Sequence, residues 1–267
     1  MTTLDKITKV GRYFLGIPMM VFGIQHFLYS DFVVQLVPAW MPWRLFWTYF
    51  AGVALFASGL GIVFHVLTRV TSTLLGLMIS TWILILHIPR IFEFHSNSEF
   101  LNTFNALVFA SGAFLLSVTE SEKSFLEKFS HWGARVSPVF MAISFTVFGL
   151  ELFIQQKLVF IVGAEYGDIP GELFWVYVSG IAFIAAATAI VLRYRVFMVS
   201  VIMGIYILFV TIMLYGPLVL EDIYQAHAWA TFLKGVAMSG SSLTLASVTL
   251  EWQKVFGIPE SIGMDRC

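Results

Sequence analysis

The chain has 267 residues, 59% hydrophobic and 12% charged, with a mean hydropathy of +0.87, whereas a soluble domain carries about 25% charged residues. A formal charge of −1 provides no basic stripe to neutralise phosphates, which excludes a nucleic-acid partner. The single cysteine, Cys267, excludes an internal disulfide and a CxxC pair, so any redox role requires a bound cofactor or another subunit.

A bilayer core of about 30 Å takes about 20 apolar residues per helix. Apolar stretches of that length, bounded by charges, Pro and Gly, predict eight spans over residues 11–29, 45–64, 70–89, 101–118, 136–155, 173–192, 196–216 and 228–249. Lys6, Lys9 and Arg12 precede the first run and no small-residue cleavage site follows it, so it reads as a retained helix and not a signal peptide. Between the fourth and fifth spans, Phe125, Phe129 and Trp132 share one helical face, with Glu122, Lys123 and Lys128 elsewhere, the pattern of a short interfacial helix.

With eight spans, both termini and the loops after spans 2, 4 and 6 share one side. That side holds Lys6, Lys9, Arg12, Arg69, Lys123, Lys128, Arg135, Arg193, Arg195, Lys254 and Arg266; the other holds Arg44, Arg90 and Lys157. The positive-inside rule therefore predicts an inner-membrane protein with cytoplasmic termini. Trp40, Trp43, Trp47, Trp175 and Trp229 fall near outer ends as interfacial anchors. The outer acids, Asp31, Glu93, Glu99, Glu165, Asp168, Glu172, Glu221 and Asp222, read as solvating loops.

A shift of 128 residues aligns Pro42 with Pro170, Leu45-Phe46-Trp47 with Leu173-Phe174-Trp175, Tyr49 with Tyr177, Gly52 with Gly180, Gly76 with Gly204, Pro89 with Pro217, Phe104 with Phe232 and Ser111-Gly112 with Ser239-Gly240. A shift of 126 aligns Val21-Phe22-Gly23 and Phe27 with Val147-Phe148-Gly149 and Phe153. Similar lead-ins precede both halves, Leu4-Asp5-Lys6-Ile7-Thr8 and Leu126-Glu127-Lys128-Phe129-Ser130. An even number of spans per repeat makes the repeats parallel. The expected fold is an all-α membrane protein of about eight transmembrane helices arranged as two parallel tandem four-helix bundles. Its parts are repeat 1 with its lead-in (1–118), a cytoplasmic amphipathic connector (119–135), repeat 2 (136–250) and a cytoplasmic tail (251–267).

Gly23-Ile24-Gln25-His26-Phe27, Val37-Pro38-Ala39-Trp40-Met41-Pro42, Tyr49-Phe50-Ala51-Gly52 with Gly59, and Leu86-His87-Ile88-Pro89-Arg90 resemble the DoxX-like family of bacterial membrane proteins. The resemblance covers residues 11 to 118 well and the second repeat weakly, where Leu152 replaces His26, Tyr215 replaces His87 and Leu218 replaces Arg90. It implies four-helix membrane domains; the family's name comes from an association with quinol oxidation and thiosulfate-linked respiration, and the resemblance is evidence for fold more than for chemistry. If the polar set serves that activity, the second repeat is scaffold.

Polar groups inside a bilayer are functional candidates by default. Gln25 and His26 on span 1 and His87 and Arg90 at the end of span 3 reach the same outer depth. Together they suit hydrogen bonding to a quinone head group, with a His as proton acceptor; two histidines are also a haem ligand pair, the lesser reading. The plainer alternative is snorkelling at the head-group level. Glu151 on span 5 and Lys234 on span 8 match in depth at about 1.5 Å per residue and form a candidate intramembrane ion pair, structural or relay. No HExxH, Walker or GxSxG motif and no Cys or carboxylate metal cluster occurs.

The leading expectation is a membrane component that binds a small hydrophobic ligand, most simply a quinone, within a redox or envelope-stress system. The alternatives are a non-enzymatic anchor or assembly factor for a protein partner, and a small-solute or lipid transporter. The lipid bilayer is a partner in all three.

Overall fold

A computed structural model describes residues 2–94, 97–157, 171–223 and 225–249. Among the described residues all regular elements are helical: α1 (Thr3–Leu28), α2 (Ser30–Val33) with a following 3₁₀ turn (Val34–Leu36), α3 (Arg44–Val63), α4 (Thr68–Trp82), a π-helical turn (Ile83–His87), α5 (Ile88–Phe94), α6 (Asn97–Val118), α7 (Glu127–Gln155), α8 (Glu172–Val191), α9 (Val196–Glu221) and α10 (Ala226–Thr249). Among the described residues, seven helices are long and apolar enough to cross a membrane. Large apolar side chains on their outer faces, such as Ile181, Ile202, Ile205 and Met213, are more than half exposed, which suits lipid and not water.

Two local expectations are corrected. The lead-in segments are not separate interfacial helices: α1 and α7 run unbroken from Thr3 and Glu127 into their apolar stretches. The start of α1 is closed by a capping box, in which Thr2 Oγ1 accepts from the Asp5 amide and the Asp5 carboxylate accepts from Thr2 N–H. Nor do Pro89 and Pro217 end their spans. Pro217 lies inside α9, and Pro89 lies just beyond the π turn, where its missing N–H and its ring exclude an ordinary bond to the Ile85 carbonyl.

The long helices do not sort into two self-contained groups. α1 packs against α3 and α10, α7 packs against α8 and α6, and α6 and α10 pack on each other in the middle. Each half thus covers its own central helix with the first helix of the other half. Close approach makes this possible: Gly11 meets Gly240, and Gly112 lies over Ser241.

α10 is as long as a span but is not among the seven apolar ones. Ser239, Ser241, Ser242, Thr244 and Ser247 on it are buried. Ser241, Ser242 and Ser247 donate to the carbonyls of Ala237, Met238 and Leu243, each four residues back. A helix whose neighbours are protein needs small, self-satisfied side chains more than hydropathy.

The 128-residue shift recurs in the backbone. The left-handed residues Trp43, His65 and Leu67 (φ 53°, 59° and 49°) have counterparts in Gly171, Arg193 and Arg195 (67°, 55° and 45°). The Phe46–Trp47 and Phe174–Trp175 ring pairs share a 5.3 Å separation and a 76° tilt.

Candidate functional site

A cavity of about 690 Å³ opens in the first half, lined by α1, α3, α4 to α5, α6 and the start of α10, with the α2 turn over one end. Its wall is apolar and aromatic, including Met19, Phe22, Leu55, Met78 and Phe109. Trp47 and Trp82 meet edge to face at 6.1 Å and 81°.

All four residues of the first candidate set, Gln25, His26, His87 and Arg90, line this cavity. His26 Nδ1 donates to the Phe22 carbonyl oxygen at 2.7 Å, which fixes the tautomer and leaves Nε2 as an acceptor when the ring is neutral. His87 comes from the π turn, a distortion that recurs at functional sites. Its Nδ1, together with Trp82 Nε1 and Asn105 Oδ1, is buried without a hydrogen-bond partner, and all three residues line the cavity. Arg90 forms a 2.6 Å ion pair with Glu99, both side chains less than a fifth exposed.

The second candidate set does not come together. Lys234 donates to Asn102 Oδ1 at 2.9 Å and lines the cavity beside the first set. Glu151 instead receives a 3.4 Å contact from Gln155 on its own helix, and no Glu151–Lys234 pair occurs among the described ion pairs. Matching depth was a sound inference from helical rise, but depth says nothing about the direction in which each helix turns its side chain. Sequence reasoning also misjudged Glu99 as a loop-solvating acid and passed over Asn102 and Asn105. Their signal was present: residues 99, 102 and 105 repeat every three positions, so they form one polar stripe along the first half of α6.

At the equivalent positions of the second half, the described residues pack as aromatic rings. Phe145, Phe148 and Phe183 stand where Met19, Phe22 and Leu55 stand in the first. Their rings pack at 5.5 and 5.8 Å about Phe183. Leu152 and Tyr215, at the positions of His26 and His87, are buried with them. Smaller and polar side chains open the first half, and rings close the second.

A smaller cavity of about 360 Å³ at the other end of α1 is lined by Asp5, Lys9, Arg12, His65 and Glu120, among others. Arg12 contacts His65, whose Nδ1 lies 3.5 Å from Glu120. Arg69 donates to the Glu120 carbonyl and pairs with Glu127 at 3.7 Å. Burial pushes the Glu120 carboxyl above the ordinary range, against the opposing pull of His65 and Arg12. These contacts clamp the start of α1, the α3–α4 turn and the α6–α7 link.

Among the described residues no cluster of His, Cys, Asp or Glu is suited to holding a metal ion. Comparison with protein-family models, with curated proteins and with solved structures finds no match to this chain.

Proposed function

We propose that the chain is a DoxX-like membrane protein that binds a quinone-class ligand in the cavity of its first half. One observation carries the reading: four polar residues chosen for chemistry from sequence alone meet in a single cavity whose remaining wall is apolar and aromatic. Ligand sites are typically apolar clefts of about 300–1,000 Å³ with a few placed polar groups. The His26 Nε2 lone pair suits a ligand hydroxyl, and the orphaned Trp82 Nε1 suits a carbonyl oxygen. A ring with oxygens at its edges satisfies both while its faces rest on aromatic side chains.

In this reading α10 crosses the membrane with the seven apolar helices, giving eight spans built as two tandem repeats, of which the second is scaffold. The basic residues place both termini in the cytoplasm, so the cavity opens in the outer leaflet of the inner membrane. Such a protein is the quinone-handling component of a membrane redox system.

The test is mass spectrometry of the organic extract of protein purified in mild detergent, wild type against a His26→Ala, His87→Ala double variant. A quinone near one per protein, lost in the variant, is the expected result. Bulk lipid alone in both samples refutes the reading, and a co-purifying protein partner in its place favours the anchor role.

A further inference from the structure

The cavity is unbalanced in formal charge. Arg90 and Lys234 bring two cations, against the single carboxylate of Glu99, among the described residues that line it. Glu99 is engaged by Arg90 at 2.6 Å. Lys234 rests on a neutral amide, Asn102 Oδ1, at 2.9 Å; the carboxylate that acts on it, Glu99, is beyond ion-pair distance and is shared with Arg90. An ammonium held among apolar side chains is costly unless an opposite charge answers it. An amide dipole is a weak substitute.

Unmet hydrogen-bonding capacity leans the same way. Lys234 keeps further N–H donors beyond the one given to Asn102. Trp82 Nε1 is a donor only, and it is buried without a partner. His87 Nδ1 is also without a partner, and it donates in one tautomer. The orphaned acceptor, Asn105 Oδ1, becomes a donor by a flip of its amide. The histidines His26, His87 and His227 add no negative charge in either protonation state.

We infer that the ligand of this cavity is an amphiphile with an anionic oxygen head group, whose charge is seated on Lys234 while its apolar body lies against the Met19, Phe22 and Leu55 wall. Two sources share that chemistry: an acidic hydroxyquinone and a long-chain carboxylate. The inference rests on the preceding reading in one respect, that the cavity is a ligand site. It adds that charge, and not ring shape alone, selects the occupant. A charged hydrogen bond in a partly desolvated site is worth enough to shift affinity by about tenfold or more.

The experiment is equilibrium dialysis of the full chain in lipid nanodiscs, with empty nanodiscs subtracted. The probes are 1,4-naphthoquinone, 2-hydroxy-1,4-naphthoquinone as its anion, and dodecanoate. Wild type is expected to hold the hydroxyquinone anion at least about tenfold more tightly than the neutral quinone. Lys234→Gln should abolish that preference and Lys234→Arg should keep it. Equal affinity of the two quinones for wild type overturns the inference and leaves the quinone reading standing; this comparison needs no variant to fold. An unchanged preference in a folded Lys234→Gln protein also overturns it. Dodecanoate bound with the same Lys234 dependence, and neither quinone bound, supports the inference and removes the quinone reading. Binding of no probe above empty nanodiscs refutes both.

Discussion

The interlocking of the two halves depends on the crossing of α1 and α10, and Gly240→Ala tests it. A Cβ at Gly240 would lie 2.7 Å from both the Leu15 amide nitrogen and the Phe14 carbonyl carbon, and 2.9 Å from the Gly11 oxygen. These are backbone atoms, so no side chain can rotate aside. To restore ordinary contact at 3.4 Å the helices must part by the difference, about 0.7 Å, along their shared seam. Overpacking costs about 1–3 kcal/mol, at the upper end here, while Ala returns about 1 kcal/mol of helix propensity. The net destabilisation is about 2 kcal/mol, which lowers the melting temperature by about 4–8 °C for a domain of this size. The assay is thermal unfolding in detergent followed by helical circular dichroism. Gly216→Ala is the control: its nearest neighbour is Ile212 Cγ2 at 3.9 Å, and it should stay within about 1 kcal/mol of wild type. A Gly240→Ala protein that melts with wild type would refute the close crossing and, with it, the interlock.

Phe183→Ala removes the ring between Phe145 and Phe148. It should cost about 3–5 kcal/mol in the same melt, and a variant within about 1 kcal/mol of wild type would mean that these three rings are not closely packed. Glu120→Gln tests the clamp formed with Arg12, His65 and Arg69. Because burial raises this carboxyl, the native state holds the proton more tightly than the unfolded chain does. That stability is present below the unfolded carboxyl's range and is lost as pH rises through the raised native value. Gln mimics the protonated form, so its stability relative to wild type should increase from acidic to neutral pH; an unchanged or falling difference contradicts the burial argument.

Most of the fold was legible because a bilayer imposes a length and a hydropathy that one sequence can display. The Gly171 and Trp43 starts of α8 and α3, and the turns at Arg193 and His65, fall where the 128-residue register puts them. The first candidate set was legible for the same reason: Gln25, His26, His87 and Arg90 are the polar exceptions in apolar surroundings, and the cavity collects all four. Lys234 was found by the same logic but assigned the wrong neighbour: it donates to Asn102 on α6, while Glu151 meets Gln155 on its own helix. Glu99 was read by its closeness to a loop, whereas the start of α6 turns it inward toward Arg90.

From the sequence alone came the helical class, the membrane as solvent, the repeat and a short list of polar residues, because each is written in local composition and spacing. Which helix lies against which was decided only in three dimensions. The neighbours of α1 are α3 and α10, although α10 lies near the far end of the chain, because Gly11 and Gly240 allow a backbone approach that no hydropathy profile records. The same crossing brings the start of α10 to the first half's cavity and so places Lys234 beside His87 and Arg90. Azimuth and packing, which no span prediction contains, determine what the charged groups of this protein face.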